Sequence, residues 1–127
     1  MGEININGNI FIFQDIELTY ENATIIDPSI AKNNLLDLKK ILDEHKVKFL
    51  IMHGTLLGAI REQKFIKHDI DIDTCTFDER GLINTIPALD KAGLKLCRYE
   101  KNLIYSFIKD GIYIDVYIVN KLQGLIR

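Results

Sequence analysis

Residues 69–73 read Asp-Ile-Asp-Ile-Asp, a carboxylate at every second position with isoleucine between. In an extended strand, residues two apart share a face, so Ile70 and Ile72 point toward a core while Asp69, Asp71 and Asp73 line the other side. The β-branched spacers favour extended chain over a loop. A calcium-binding EF-hand loop beginning at Asp69 would need Gly at its sixth place and Glu at its twelfth. Thr74 and Arg80 stand there, so a strand from Asp69 to Thr74 is the reading that survives. Same-face carboxylates roughly 6–7 Å apart at the backbone repel one another unless something intervenes. They are either the solvated face of an edge strand or donors that converge on one divalent cation, or on a pair about 4 Å apart.

A second acidic strand bears on that choice. In Gly111–Val119, Ile112, Ile114, Val116 and Ile118 fall on one face, with Tyr113, Asp115 and Tyr117 on the other. A lone aspartate in an apolar strand is costly unless something pairs with it. A cation already held by Asp71 and Asp73 is such a partner.

The rest of the chain supplies a frame. Residues 4–13 alternate around Asn7-Gly8, a hairpin signal. Asp27-Pro28 is suited to start a helix, which runs to about His45 with Leu35, Leu38, Ile41 and Leu42 on its core face. Val47–Met52 is a short apolar run that suits a buried strand. His53-Gly54-Thr55 follows, then a helix-like stretch, so a strand, a turn and a helix N-terminus offer backbone N–H groups to an anion. Asp78 is placed to cap a helix through Leu82, Ile83, Ile86 and Leu89 that stops near Gly93. Strands follow over Leu94–Cys97, Leu103–Ile108 and Ile112–Val119, with turns at Lys101-Asn102 and Asp110-Gly111. Helices set between strands predict an α+β (α/β) domain, a mixed β-sheet flanked by helices with an N-terminal β-hairpin.

At 127 residues the chain is one domain: residues 1–26 form a hairpin extension and 27–119 the core. A formal charge of −2 leaves no footprint for nucleic acid. Two cysteines, Cys75 and Cys97, without a CxxC or Cys/His cluster, are expected to be reduced core residues of a cytoplasmic protein. No segment reaches the length of a membrane span, and the N-terminus lacks the pattern of a secretory signal.

Gly-Thr after one strand, an Asp-x-Asp on a second and a lone Asp on a third is the layout of the nucleotidyltransferase superfamily. Within it, GTLLGAIREQKFIKHDIDID (residues 54–73), followed by Ile114-Asp115-Val116-Tyr117, closely resembles the LicD/fukutin-type phosphotransferases. The chain departs from the family pattern at Gln63-Lys64 (family Lys-Gly), Lys67 (Pro), His68 (Trp) and Ile70 (Asp).

The resemblance implies that Asp71 and Asp73 hold Mg²⁺ or Mn²⁺, and that Asp115 is the third carboxylate, holding metal or taking the acceptor's proton. It implies further that Gly54 and Thr55 form the phosphate-holding turn and that Arg61 contacts the donor phosphate. His53 and Lys64 lie where they too can meet the donor, although a histidine at a strand end is more often a hydrogen-bonded structural residue and a solvated surface position is the commoner account of at least one of Lys64 and Lys67. The expected activity is transfer of a phospho-alcohol, phosphocholine for example, from a CDP-linked donor to a sugar hydroxyl of a surface glycan. Transfer of NMP from an NTP, or nucleotide binding without turnover, are the alternatives. Family members usually continue well past the third aspartate, so a second copy of the chain, in a homodimer, is a candidate source of acceptor-binding segments.

Overall fold

The computed structural model describes residues 1–15, 28–51 and 71–119. Strands β1 (Gly2–Ile6) and β2 (Asn9–Phe13) form a two-stranded antiparallel hairpin. Helix α1 (Pro28–Glu44) and the short strand β3 (Leu50–Ile51) follow, then β4 (Asp71–Thr76), helix α2 (Glu79–Lys91), and strands β5 (Lys95–Glu100), β6 (Ile104–Lys109) and β7 (Ile112–Ile118). Among the described residues, the larger sheet has five strands in the order β3-β4-β7-β6-β5. β4 and β7 run parallel at its centre, and every other pairing is antiparallel. The architecture is mixed α+β, as the alternation of elements predicts.

The three expected turns form where the residue types allow them, the one at Lys101-Asn102 with Asn102 at φ 68°. Asn7 and Gly8 have φ of 53° and 89°, and Asp110 and Gly111 have 53° and 78°. Positive φ at both central residues matches the right-handed twist of the flanking strands, and Asn, Asp and Gly tolerate it best. Asp78 caps α2 as expected, its Oδ1 accepting the Gly81 N–H at 2.9 Å.

The core lies between the two helices and one face of the sheet. α1 contributes Ala31, Leu38 and Leu42, α2 contributes Leu82, Ile86 and Leu89, and the sheet contributes Ile72, Leu96, Phe107, Ile114 and Val116, all essentially buried. The hairpin turns Ile4, Ile6 and Phe13 inward. It is joined to β5 through Tyr99, whose ring meets Phe13 edge-on at 5.9 Å and whose hydroxyl donates to the Glu3 carbonyl. Lys109 ties three elements together: its Nζ donates to Asp37 of α1 at 2.7 Å and to the Ala92 carbonyl just past α2 at 2.8 Å.

Some boundaries differ from the sequence reading. Val47 to Phe49 lie outside the strand, the Val47 N–H being taken by the Leu42 carbonyl as α1 ends, and among the described residues of the expected run Leu50–Ile51 joins the sheet; Met52 lies outside the described residues. β4 reaches Thr76, two residues further than expected. β5 runs to Glu100 because a bulge between Leu96 and Arg98 absorbs an extra residue without ending the ladder. Both cysteines are free and buried, in line with core packing. Among the described residues, no helix is long and apolar enough to cross a membrane.

Candidate active site

The sheet face opposite the helices carries the acidic positions. Ile72 pairs with Ile114 in the parallel β4–β7 ladder and both enter the core, so strand alternation puts positions 71 and 73, with Tyr113 and Asp115, on the other face. Asp73 is the direct cross-strand partner of Asp115, which places their backbones about 4.8 Å apart. The row continues outward: Asp115 pairs with Ser106 on β6, and Ser106 with Arg98 on β5. Four polar side chains thus cross four adjacent strands in one line, Asp73–Asp115–Ser106–Arg98.

Asp115 is only 2% exposed, and the price of burying a carboxylate is offset by specific contacts. Ser106 Oγ–H donates to its Oδ1 at 2.7 Å. The Arg98 Nε–H donates to Ser106 Oγ at 3.0 Å, and Arg98 Nη2 stands 3.8 Å from the same Oδ1. Thr74 Oγ1 donates to the Asp115 backbone carbonyl at 3.0 Å, adding a side-chain tie between β4 and β7. The expectation that a cation pairs with Asp115 therefore acquires a second answer inside the protein, a serine hydroxyl backed by an arginine.

The bulge in β5 sets Cys97 beside this row, its Sγ–H donating to the Ser106 carbonyl at 3.3 Å. Burial pushes the Cys97 thiol up to about 11, the Arg98 charge opposing the shift and the Asp115 carboxylate adding to it. It is a neutral packing group at physiological pH, not a nucleophile. Tyr113 is also raised, first by burial and then by Cys97, so it remains a phenol beside the carboxylates.

The donor set suits a hard divalent cation. Two carboxylates on neighbouring strands offer oxygen ligands only, the preference of Mg²⁺ and Mn²⁺, and Asp73 Oδ1 is shut off from bulk water. Asp71 begins β4 two positions before Asp73, on the same strand face; its side chain lies outside the described ones. Among the described residues, no group of three His, Cys, Asp or Glu gathers as a metal cage. His53, Gly54, Thr55, Arg61, Lys64, Lys67, His68 and Asp69 also lie outside the described residues.

Arg98 and Ser106 are the members of the row that sequence reading missed. Their signal was present but weak: Ser106 stands alone in Ile-Tyr-Ser-Phe-Ile, and Arg98 interrupts Leu-Cys-Arg-Tyr. A polar residue alone in an apolar strand needs a partner, but nothing local says which strand provides it.

The comparison with known proteins falls on the same segment. The sequence profile described as LicD/FKTN/FKRP, nucleotidyltransferase domain, matches residues 46–121, more than half of the chain. The chain belongs to the LicD family. This is a family of transferases linked to glycan modification, and the LicD match takes in β3 through β7 together with the Gly54–Asp73 motif. The hairpin and the whole of α1 precede it. A further similarity, 33% identity over 87 residues, links the chain to an uncharacterized protein of Rickettsia prowazekii (strain Madrid E). The aligned segment covers 67% of this chain and 31% of the rickettsial protein, so the chain spans about a third of that relative's length.

Proposed function

We propose that this LicD-family domain transfers a phospho-alcohol from a CDP-linked donor to a hydroxyl acceptor, with a sugar of a surface glycan as the acceptor class. The observation that carries the reading is the in-register pair Asp73–Asp115 on parallel strands at the sheet centre, in a chain whose Gly54–Asp73 stretch has the family's wording. Asp71, Asp73 and Asp115 are the residues that would hold Mg²⁺ or Mn²⁺. Bound there, the ion would neutralise charge on the donor's phosphates as the phosphoryl group moves.

The protein's own groups do the remaining work. Gly54 and Thr55 hold the donor phosphates by backbone N–H groups, and Arg61 pairs with them as a guanidinium. Lys64 and His53 add positive or hydrogen-bonding character at the same anion. Asp115 accepts the hydrogen bond of the acceptor hydroxyl and takes its proton as the acceptor oxygen bonds to phosphorus. The bond from phosphorus to the CMP oxygen breaks, and CMP leaves with the electron pair. Catalysis of this kind is mostly positioning and charge neutralisation.

Incubation with Mg²⁺, CDP-choline and a panel of sugar acceptors, followed by chromatography for CMP, tests the reading. Acceptor-dependent CMP release that disappears in Asp115→Asn supports it. The family description, a nucleotidyltransferase domain, favours a second reading in which NMP moves from an NTP. Pyrophosphate release from CTP or ATP, with no CMP from CDP-choline, would replace the first reading by the second.

A further inference from the structure

The polar row across the sheet ends in two residues with no place in the family motif. We infer that Ser106 and Arg98 are positioning residues that fix the rotation of the Asp115 carboxylate, so that Oδ1 is committed to the protein and Oδ2 is the oxygen that works on the cation or the acceptor. The inference rests on the proposed role of Asp115 and deepens it.

Three geometric facts carry it. Among the described residues, the side-chain contacts given to Asp115 both fall on Oδ1: the Ser106 hydroxyl at 2.7 Å and Arg98 Nη2 at 3.8 Å. The hydroxyl of a serine is a rotor that can donate in several directions. Here the Arg98 Nε–H occupies a lone pair of Oγ at 3.0 Å, which leaves the hydroxyl proton directed at Asp115. Finally, Ser106 is completely buried at the middle of β6, so water does not compete for that hydroxyl. The chain of donors runs one way, from Arg98 through Ser106 to Asp115. The β5 bulge is part of the device, because it brings Arg98 into register with Ser106.

Arg98 also has a charge, and charge alone would act in the opposite sense. A cation close to Asp115 opposes the binding of a second cation, so simple removal of Arg98 mixes two effects. Arg98→Lys keeps the charge while removing the Nε–H that orients the serine, and it separates them.

The test is Mn²⁺ binding, measured by calorimetry and by the loss of the free-ion electron paramagnetic resonance signal, on the full chain. Parent protein, Asp115→Asn, Ser106→Ala, Arg98→Lys and the Ser106→Ala, Arg98→Lys double variant are compared, each checked by thermal melting. Outer partners of metal ligands typically carry about 10-fold to 100-fold in affinity. Ser106→Ala is expected to weaken Mn²⁺ binding about 10-fold, Arg98→Lys by less, and the double variant no more than Ser106→Ala, because Arg98 acts through the serine. Ser106→Ala with parental affinity, beside an Asp115→Asn that has lost binding, overturns the positioning role and leaves the metal reading standing. A double variant that adds the two losses overturns the one-way relay. No Mn²⁺ binding by the parent overturns the metal reading on which both stand. Should Ser106→Ala fail to fold, Arg98→Lys at its part-exposed site decides the matter: parental affinity there overturns the relay.

Discussion

Asp73 and Asp115 are held side by side as cross-strand partners in the parallel β4–β7 ladder, and like charges directly opposite one another on neighbouring strands are destabilising. Asp73→Asn removes one of the charges, so it is expected to leave the melting temperature no lower while lowering phosphotransfer more than about 100-fold. Mg²⁺ should raise the melting temperature of the parent and leave that of Asp73→Asn unmoved, since a ligand stabilises only the state that binds it. A clear loss of stability in Asp73→Asn would make the residue structural instead. At this scale, the sequence revealed the acidic half of the row and hid the other. Asp71, Asp73 and Asp115 show themselves because each breaks an apolar alternation with a charge. Ser106 and Arg98 become meaningful only once β6 and β5 are laid beside β7.

The elements that place the row are set largely by short-range chemistry. Asp78 satisfies an orphan N–H of α2, and its replacement by Ala is expected to cost about 1 kcal/mol, visible as a lower urea midpoint with an unchanged slope. Leu38 is completely buried where α1 meets the core, and Leu38→Ala should cost about 2–5 kcal/mol by the same measurement. The two described helices and the turns at Asn7-Gly8 and Asp110-Gly111 were legible because periodicity, caps and positive-φ residues are local signals. The β5 bulge was not, since nothing in Lys95–Glu100 marks where an extra residue will be absorbed. Nor was the late start of β3, which is set by competition: the Leu42 carbonyl takes the Val47 N–H for the close of α1.

Across the whole molecule, the pairing of β4 with β7 is the feature that local sequence cannot announce, because α2, β5 and β6 intervene between them. That pairing assembles the candidate site, and the LicD match to residues 46–121 spans it. The molecule also carries an alkaline liability. The Cys97 thiol titrates at about 11 when folded against an ordinary 9.0, so between these values the unfolded chain binds fewer protons. Stability is then complete below pH 9.0 and falls as pH rises toward 11. Tyr105, held above its ordinary 10.0 by burial and by its hydrogen bond to Glu79, extends the loss to higher pH. Urea midpoints measured from pH 8 to 11 should decline over this window and decline less in Cys97→Ala.

On the proposed function, the face bearing Asp73 and Asp115 handles a nucleotide-linked phosphate with the help of a divalent ion. Calorimetric titration of CDP-choline into the protein, with Mg²⁺ present and absent and with Asp73→Asn alongside, tests it most directly. Binding that requires Mg²⁺ and is lost in Asp73→Asn is the predicted result. Equal binding by parent and variant, or none by the parent at millimolar ligand, would rule out this role and leave the acidic row as a structural feature of the sheet.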